Sequence, residues 1–197
     1  MDSDRKIKSD TGWADGTEAK SSRQPSCNSL AKSCAGIRAV IFDLDGVICH
    51  TDEYHYQAWL AVARRLGIPF DRRINSRLRG VSRMESLNII LGEAGRHYTE
   101  EEKQRLAEEK NRIYREMLGR MTPEDLSGDV KSALNGLRLK GIGLAVGSSS
   151  RNTSFILERL GLSDYFDAVA DGTQITRSKP DPEVFLLAAS LLGVRAE

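Results

Sequence analysis

The chain has 197 residues, enough for one α/β domain carrying an insertion. Its 40% hydrophobic and 29% charged residues are ordinary for a globular protein, and 29 basic against 28 acidic residues leave a formal charge of +1. That balance points to no nucleic-acid partner and no membrane surface, and no apolar run reaches the ~18 residues a membrane span needs.

Residues 1–35 are rich in Ser, Lys, Asp and Gly and show no sustained periodicity, which predicts a disordered leader. They lack the apolar centre of a secretory signal. Asp2, Asp4, Asp10, Asp15 and Glu18 argue against a mitochondrial presequence. The three cysteines, Cys27, Cys34 and Cys49, are an odd set without metal-like spacing, and they fit a reducing cytoplasmic compartment.

Ordered structure is expected from Ile37, where Ile37 to Phe42 reads as a strand buried on both faces and ends abruptly in carboxylates. A helix follows from Asp52 to about Leu66, with Thr51 as its N-cap and Gly67 with Pro69 as its stop. Three helical segments come next with no strand between them. Asp71 to Leu78 is short; Arg83 to about Glu93 follows the capping-box spacing Ser82-x-x-Glu85; Glu100 to Leu118 follows Thr99-x-x-Glu102. Alternation then resumes: a helix over 129–140, a strand over 142–146, a helix capped by Asn152, a short strand at 168–170, and a last helix opened by Asp181-Pro182. The order predicts an α/β fold, a doubly wound parallel Rossmann-like core over 36–48 and 127–197, with an inserted α-helical cap over 49–126. Three strands are few for such a sheet. The core therefore reads as incomplete, cut short at its C-terminus, with the first strand at an exposed apolar edge.

Ligands of open α/β sheets bind beyond the carboxyl ends of the strands. Asp43 and Asp45 fall there, two apart and hence on one side of an extended chain, and Gly46 permits a sharp turn. Carboxylates this close raise one another's pKa unless a cation intervenes, and Mg2+ would relieve that repulsion. One acid can then attack phosphorus while the other moves the alcohol proton. Two helix-capping acids at a strand end are the plain alternative.

The run Ile41-Phe42-Asp43-Leu44-Asp45-Gly46-Val47 resembles the first motif of the haloacid-dehalogenase superfamily of phosphotransferases. The resemblance implies Asp43 as nucleophile, Asp45 as acid/base, and both as Mg2+ ligands. It extends to Gly143 to Ser148, which supplies Ser148 as a phosphate-binding hydroxyl, and to Ser178-Lys179-Pro180, which supplies Lys179. Ser149, Ser150, Arg151 and Asn152 follow Ser148 as further substrate contacts. The stretches Thr51 to Trp59 and Leu78 to Arg83 look like those of the superfamily's sugar-phosphate mutases, which interconvert β-glucose 1-phosphate and β-glucose 6-phosphate.

Arg79, Gly80, Val81, Ser82 and Arg83 then make a second phosphate site at a helix start, where free N–H groups and a guanidinium favour an anion. His55 is implied to help position Asp45, Trp59 to lie beside the sugar, and Ser86 and Lys110 to add contacts. The family's fourth motif, an acidic pair completing the metal shell, has no counterpart in the chain. Asp164, Asp167 and Asp171 match variable positions. The expectation is a cytoplasmic, monomeric enzyme acting on a small sugar phosphate. A phosphatase of the same superfamily and an inactive remnant stand as alternatives.

Overall fold

Strand β1 (Ala39–Phe42) runs parallel to β2 (Gly143–Gly147), which runs parallel to β3 (Ala168–Ala170). Phe42 stands beside Val146 and Gly147 beside Ala170, so the carboxyl ends of all three strands open on one side. This computed structural model describes residues 36–79 and 81–195, of which those from Ile37 onward belong to a single compact unit. The disordered leader expected over 1–35, with Cys27 and Cys34, lies outside the described residues, as does Gly80.

Between β1 and β2 come α1 (Asp52–Leu66), α2 (Arg72–Ser76), α3 (Arg83–Leu91), α4 (Glu100–Leu118) and α5 (Gly128–Leu139). Helix α6 (Thr153–Arg159) leads to β3, and α7 (Glu183–Leu191) follows it. The helical insert has an apolar cluster of its own, built on Trp59, Val62, Leu87, Ile90 and Leu106. A second cluster joins Ala145, Ala168 and Ala170 of the sheet to Val184 and Ala188 of α7. Each fully buried Leu or Ile side chain contributes about 1.5–3 kcal/mol.

Local signals set most boundaries. Thr99 and Glu102 form the reciprocal capping box expected of them, and α4 begins and ends as its sequence predicts. Ser82 accepts the Glu85 amide, and Asp71 accepts that of Ile74. Gly67 closes α1 with φ at 67°, a left-handed turn that costs glycine little.

Four expectations need correction. Thr51 does not cap α1, because its hydroxyl is drawn to Asp45. Asn152 does not cap α6, because its carboxamide bonds to α4. Pro182 precedes α7, whose first amide bonds Asp181 Oδ1 at 3.0 Å, so the helix starts one residue later than expected. The residues of β1 are half-buried rather than enclosed on both faces. Among the described residues, β1 has β2 as its one lateral neighbour.

Candidate active site

Beyond the strand ends lies a cavity of about 810 Å³. It brings together Asp43 and Asp45 after β1; His55, Trp59, Arg79, Val81, Ser82, Arg83, Ser86 and Lys110 of the insert; and Ser148, Ser149, Ser150, Arg151, Asn152 and Lys179. Apart from Gly80, every residue singled out from the sequence lines this one space.

The turn after β1 fixes the two acids differently. Leu44 between them is fully buried, and its carbonyl takes the amides of Val47, Ile48 and Cys49. Gly46 sits at φ 80°, and its amide reaches the Cys49 carbonyl at 2.7 Å. Asp43 keeps 39% of its side chain exposed, accepts the Leu44 amide at 2.7 Å, and pairs with Lys179 Nζ at 2.7 Å. Asp45 accepts the hydroxyl of Thr51, a residue with no solvent exposure. Burial raises the Asp45 pKa above the usual carboxylate value. The Thr51 bond opposes that rise, and the charge of Asp43 adds to it.

Loops after β2 and β3 are locked to each other. The Ser148 hydroxyl accepts the Ser150 amide at 3.1 Å, and the Ser149 hydroxyl accepts the Lys179 amide at 3.3 Å. Gly172 packs so close that a Cβ there would stand 2.3 Å from the Ser149 carbonyl oxygen. Lys179 also lies over the Phe185 ring, 4.6 Å from its centroid.

On the insert side, Lys110 is 3% exposed, with Nζ 2.9 Å from His55 Nδ1. It also lies 4.4 Å from the Tyr114 ring centroid and 5.1 Å from that of Trp59. Burial, reinforced by the Arg83 charge, lowers the Lys110 pKa to about 7, while Asp45 works the other way. Burial, followed by the charges of Lys110 and Arg83, likewise holds the His55 pKa well below its ordinary value, which favours a neutral ring beside the lysine. His55 thus meets Lys110, and Asp45 meets Thr51. Beside them the Tyr114 hydroxyl is buried with no hydrogen-bond partner of ordinary geometry among the described residues; burial raises its pKa, and the nearby Thr51 hydroxyl opposes that rise.

Arg83 donates to Asn111 Oδ1 at 2.9 Å and Arg151 to the Gly172 carbonyl at 3.2 Å. Neither belongs to an ion pair among the described residues. Burial and then the charge of Arg151 lower the Arg83 pKa. Arg79 reaches Asp52 at 3.5 Å on the exposed rim. Tyr114, Asn111 and Gly172 were not singled out by sequence, and Thr51 only as a helix cap. Only Gly172, a glycine at a strand end next to an acid, carried a local signal.

A parallel sheet with a helical insert after its first strand, and a polar cavity beyond its strand ends, is the architecture of an α/β enzyme. The chain belongs to the haloacid dehalogenase-like hydrolase family, whose model matches residues 37–197. It is 48% identical over 160 residues to β-phosphoglucomutase of Bacillus subtilis, covering 80% of this chain and 71% of that one. It is 34% identical over 164 residues to a phosphorylated carbohydrates phosphatase of Thermotoga maritima, covering 82% and 73%. The crystal structure of β-phosphoglucomutase from Clostridium difficile superposes with a TM-score of 0.75 at 42% identity, covering 80% and 72% of the two chains.

Proposed function

We propose that the chain moves a phosphoryl group between Asp43 and a small sugar phosphate, interconverting β-glucose 1-phosphate and β-glucose 6-phosphate through a bisphosphate intermediate. The observation that carries a two-ended substrate is the pair Arg83 and Arg151: two guanidiniums lining one cavity, close enough for one to lower the other's pKa, with a carboxamide and a backbone carbonyl as their hydrogen-bond acceptors. Cations gathered without a carboxylate suit an anion supplied by the ligand. A phosphatase needs to grip only the group it removes. A mutase must grip either end.

At the other end, Ser148 and Lys179 would hold the phosphate to be transferred. From the bisphosphate, an Asp43 carboxylate oxygen attacks the phosphorus beside it, the bond from that phosphorus to the sugar oxygen breaks, and the Asp45 proton goes to that oxygen, leaving a sugar monophosphate and an aspartyl phosphate. In the other half-reaction the free hydroxyl of a sugar monophosphate attacks the aspartyl phosphorus, the bond from phosphorus to Asp43 breaks, and Asp45 takes the hydroxyl proton as the bisphosphate forms again. Burial, by raising the Asp45 pKa, shifts it toward the protonated form that an acid uses. Lys179 balances the charge of Asp43 until phosphate arrives.

The two acids fit a hard divalent cation, since Mg2+ takes one or two carboxylates and completes its shell with water and phosphate oxygens. Among the described residues no cluster of three or more His, Cys, Asp or Glu side chains could enclose a metal, so Asp43 through its carboxylate and Asp45 through its backbone carbonyl would hold Mg2+ together with such oxygens. When bound, the ion would offset the negative charge of the phosphate. No helix among the described residues is long and apolar enough to cross a membrane. A monomer in the cytoplasm belongs to the same proposal.

Supplying β-glucose 1-phosphate, Mg2+ and a trace of the bisphosphate should yield glucose 6-phosphate, and Asp43→Asn should form no phosphoenzyme. Phosphoaspartate in that variant would refute the nucleophile. Release of inorganic phosphate alone would identify a phosphatase, the reading that the likeness to the Thermotoga maritima phosphatase favours.

A further inference from the structure

We infer that Asn111, outside the cavity lining, is a positioning residue that assembles the donors for the substrate's distal phosphate across two parts of the fold. This rests on the two-ended substrate proposed above. Asn111 Oδ1 accepts Arg83 Nη2 at 2.9 Å and Asn152 Nδ2 at 3.0 Å. Arg83 begins α3 in the insert, whereas Asn152 stands between β2 and α6. Both line the cavity, and one oxygen on α4 holds them together.

Asn152 is held at its other atom too. Arg115, one turn beyond Asn111 on α4, donates Nη1 to Asn152 Oδ1 at 3.2 Å and stacks over Phe155 with its guanidinium carbon 4.3 Å from the ring centroid. The two ends of the Asn152 carboxamide are therefore oriented by α4. This is what removes Asn152 from the capping role its position predicts.

The choice of a carboxamide matters chemically. Its oxygen is neutral, so it aims the Arg83 guanidinium without cancelling the charge. A guanidinium has five N–H donors, so accepting one leaves others for a ligand. A carboxylate at 111 would keep the geometry but compete with the phosphate for Arg83. An apolar side chain would leave Arg83 free among rotamers and Asn152 without its acceptor, so the donors would have to be ordered when ligand binds.

The test is calorimetric titration of wild type, Asn111→Ala and Asn111→Asp with glucose 1,6-bisphosphate and, separately, inorganic phosphate, alongside thermal unfolding. Asn111→Ala should weaken bisphosphate binding about tenfold, the scale of one charge-assisted hydrogen bond, and leave inorganic phosphate within about twofold. Asn111→Asp preserves shape and acceptor, so it carries the test if the alanine variant fails to fold. It should weaken the bisphosphate at least as much. A merely structural role predicts the reverse, with Asn111→Asp restoring wild-type affinity, and that result would overturn the inference. So would Asn111→Ala binding the bisphosphate as wild type does while wild type prefers it to inorganic phosphate. A wild type that binds both ligands equally would overturn the two-ended substrate itself, and this inference with it.

Discussion

The hydroxyl of Thr51 donates to the carboxylate of Asp45, joining the residue before α1 to the second acid of the strand end. Thr51 is fully buried and leaves the α1 amides to find other partners. Thr51→Val removes the donor while keeping the shape. It should cost about 1–3 kcal/mol in urea unfolding, the scale for a buried group left unpaired, with Thr51→Ser losing less. Equal stability of Thr51→Val and wild type would show that the bond contributes nothing.

Lys110 supplies a pH dependence. Its folded pKa of about 7 lies below the ordinary lysine value near 10.4, so between those values the unfolded chain binds more protons than the folded one. Stability from this group therefore rises as pH increases from about 7 toward 10, and is least below about 7. Comparing midpoints of wild type and Lys110→Met across that range should reveal the slope in wild type alone. Parallel profiles would contradict a depressed lysine.

Gly172 carries a steric prediction. Adding a methyl group to it sets a carbon 2.3 Å from the Ser149 carbonyl oxygen, which is backbone and cannot rotate aside. Gly172→Ala should destabilise by about 1–3 kcal/mol, the range for overpacking, and weaken inorganic phosphate binding by displacing Ser148 and Ser150. Full retention of phosphate affinity would mean the loop moves as a body.

Tyr114 should respond in the opposite direction. Its buried hydroxyl has no hydrogen-bond partner of ordinary geometry among the described residues, so Tyr114→Phe keeps the ring against Lys110 and removes the cost of an unsatisfied group. The expected change in urea unfolding runs from none to a gain of about 1 kcal/mol. A loss of that size would mean the hydroxyl is bonded in solution.

Sequence reading succeeds where the signals are local. The extents of α1 and α4 follow from neighbours three or four residues apart, so capping residues and apolar spacing announce them. The convergence of Asp43, Ser148 and Lys179 is legible because strand ends in a parallel sheet share one side. Thr51 and Asn152 satisfy the statistics of caps, yet their side chains bond to partners set by tertiary packing. His55 finds Lys110 across 55 positions, a pairing that no local periodicity encodes. The half-burial of β1 likewise depends on what flanks it rather than on Ala39 to Phe42.

Ser149 has an evolutionary consequence. Its hydroxyl holds the Lys179 amide, and its carbonyl meets the space a side chain at 172 would need. The loops after β2 and β3 and the segment before α7 are thus tolerances of a single fitting. Substitutions at 149, 172 and 179 should be inherited together among relatives, even where the surrounding surface drifts freely.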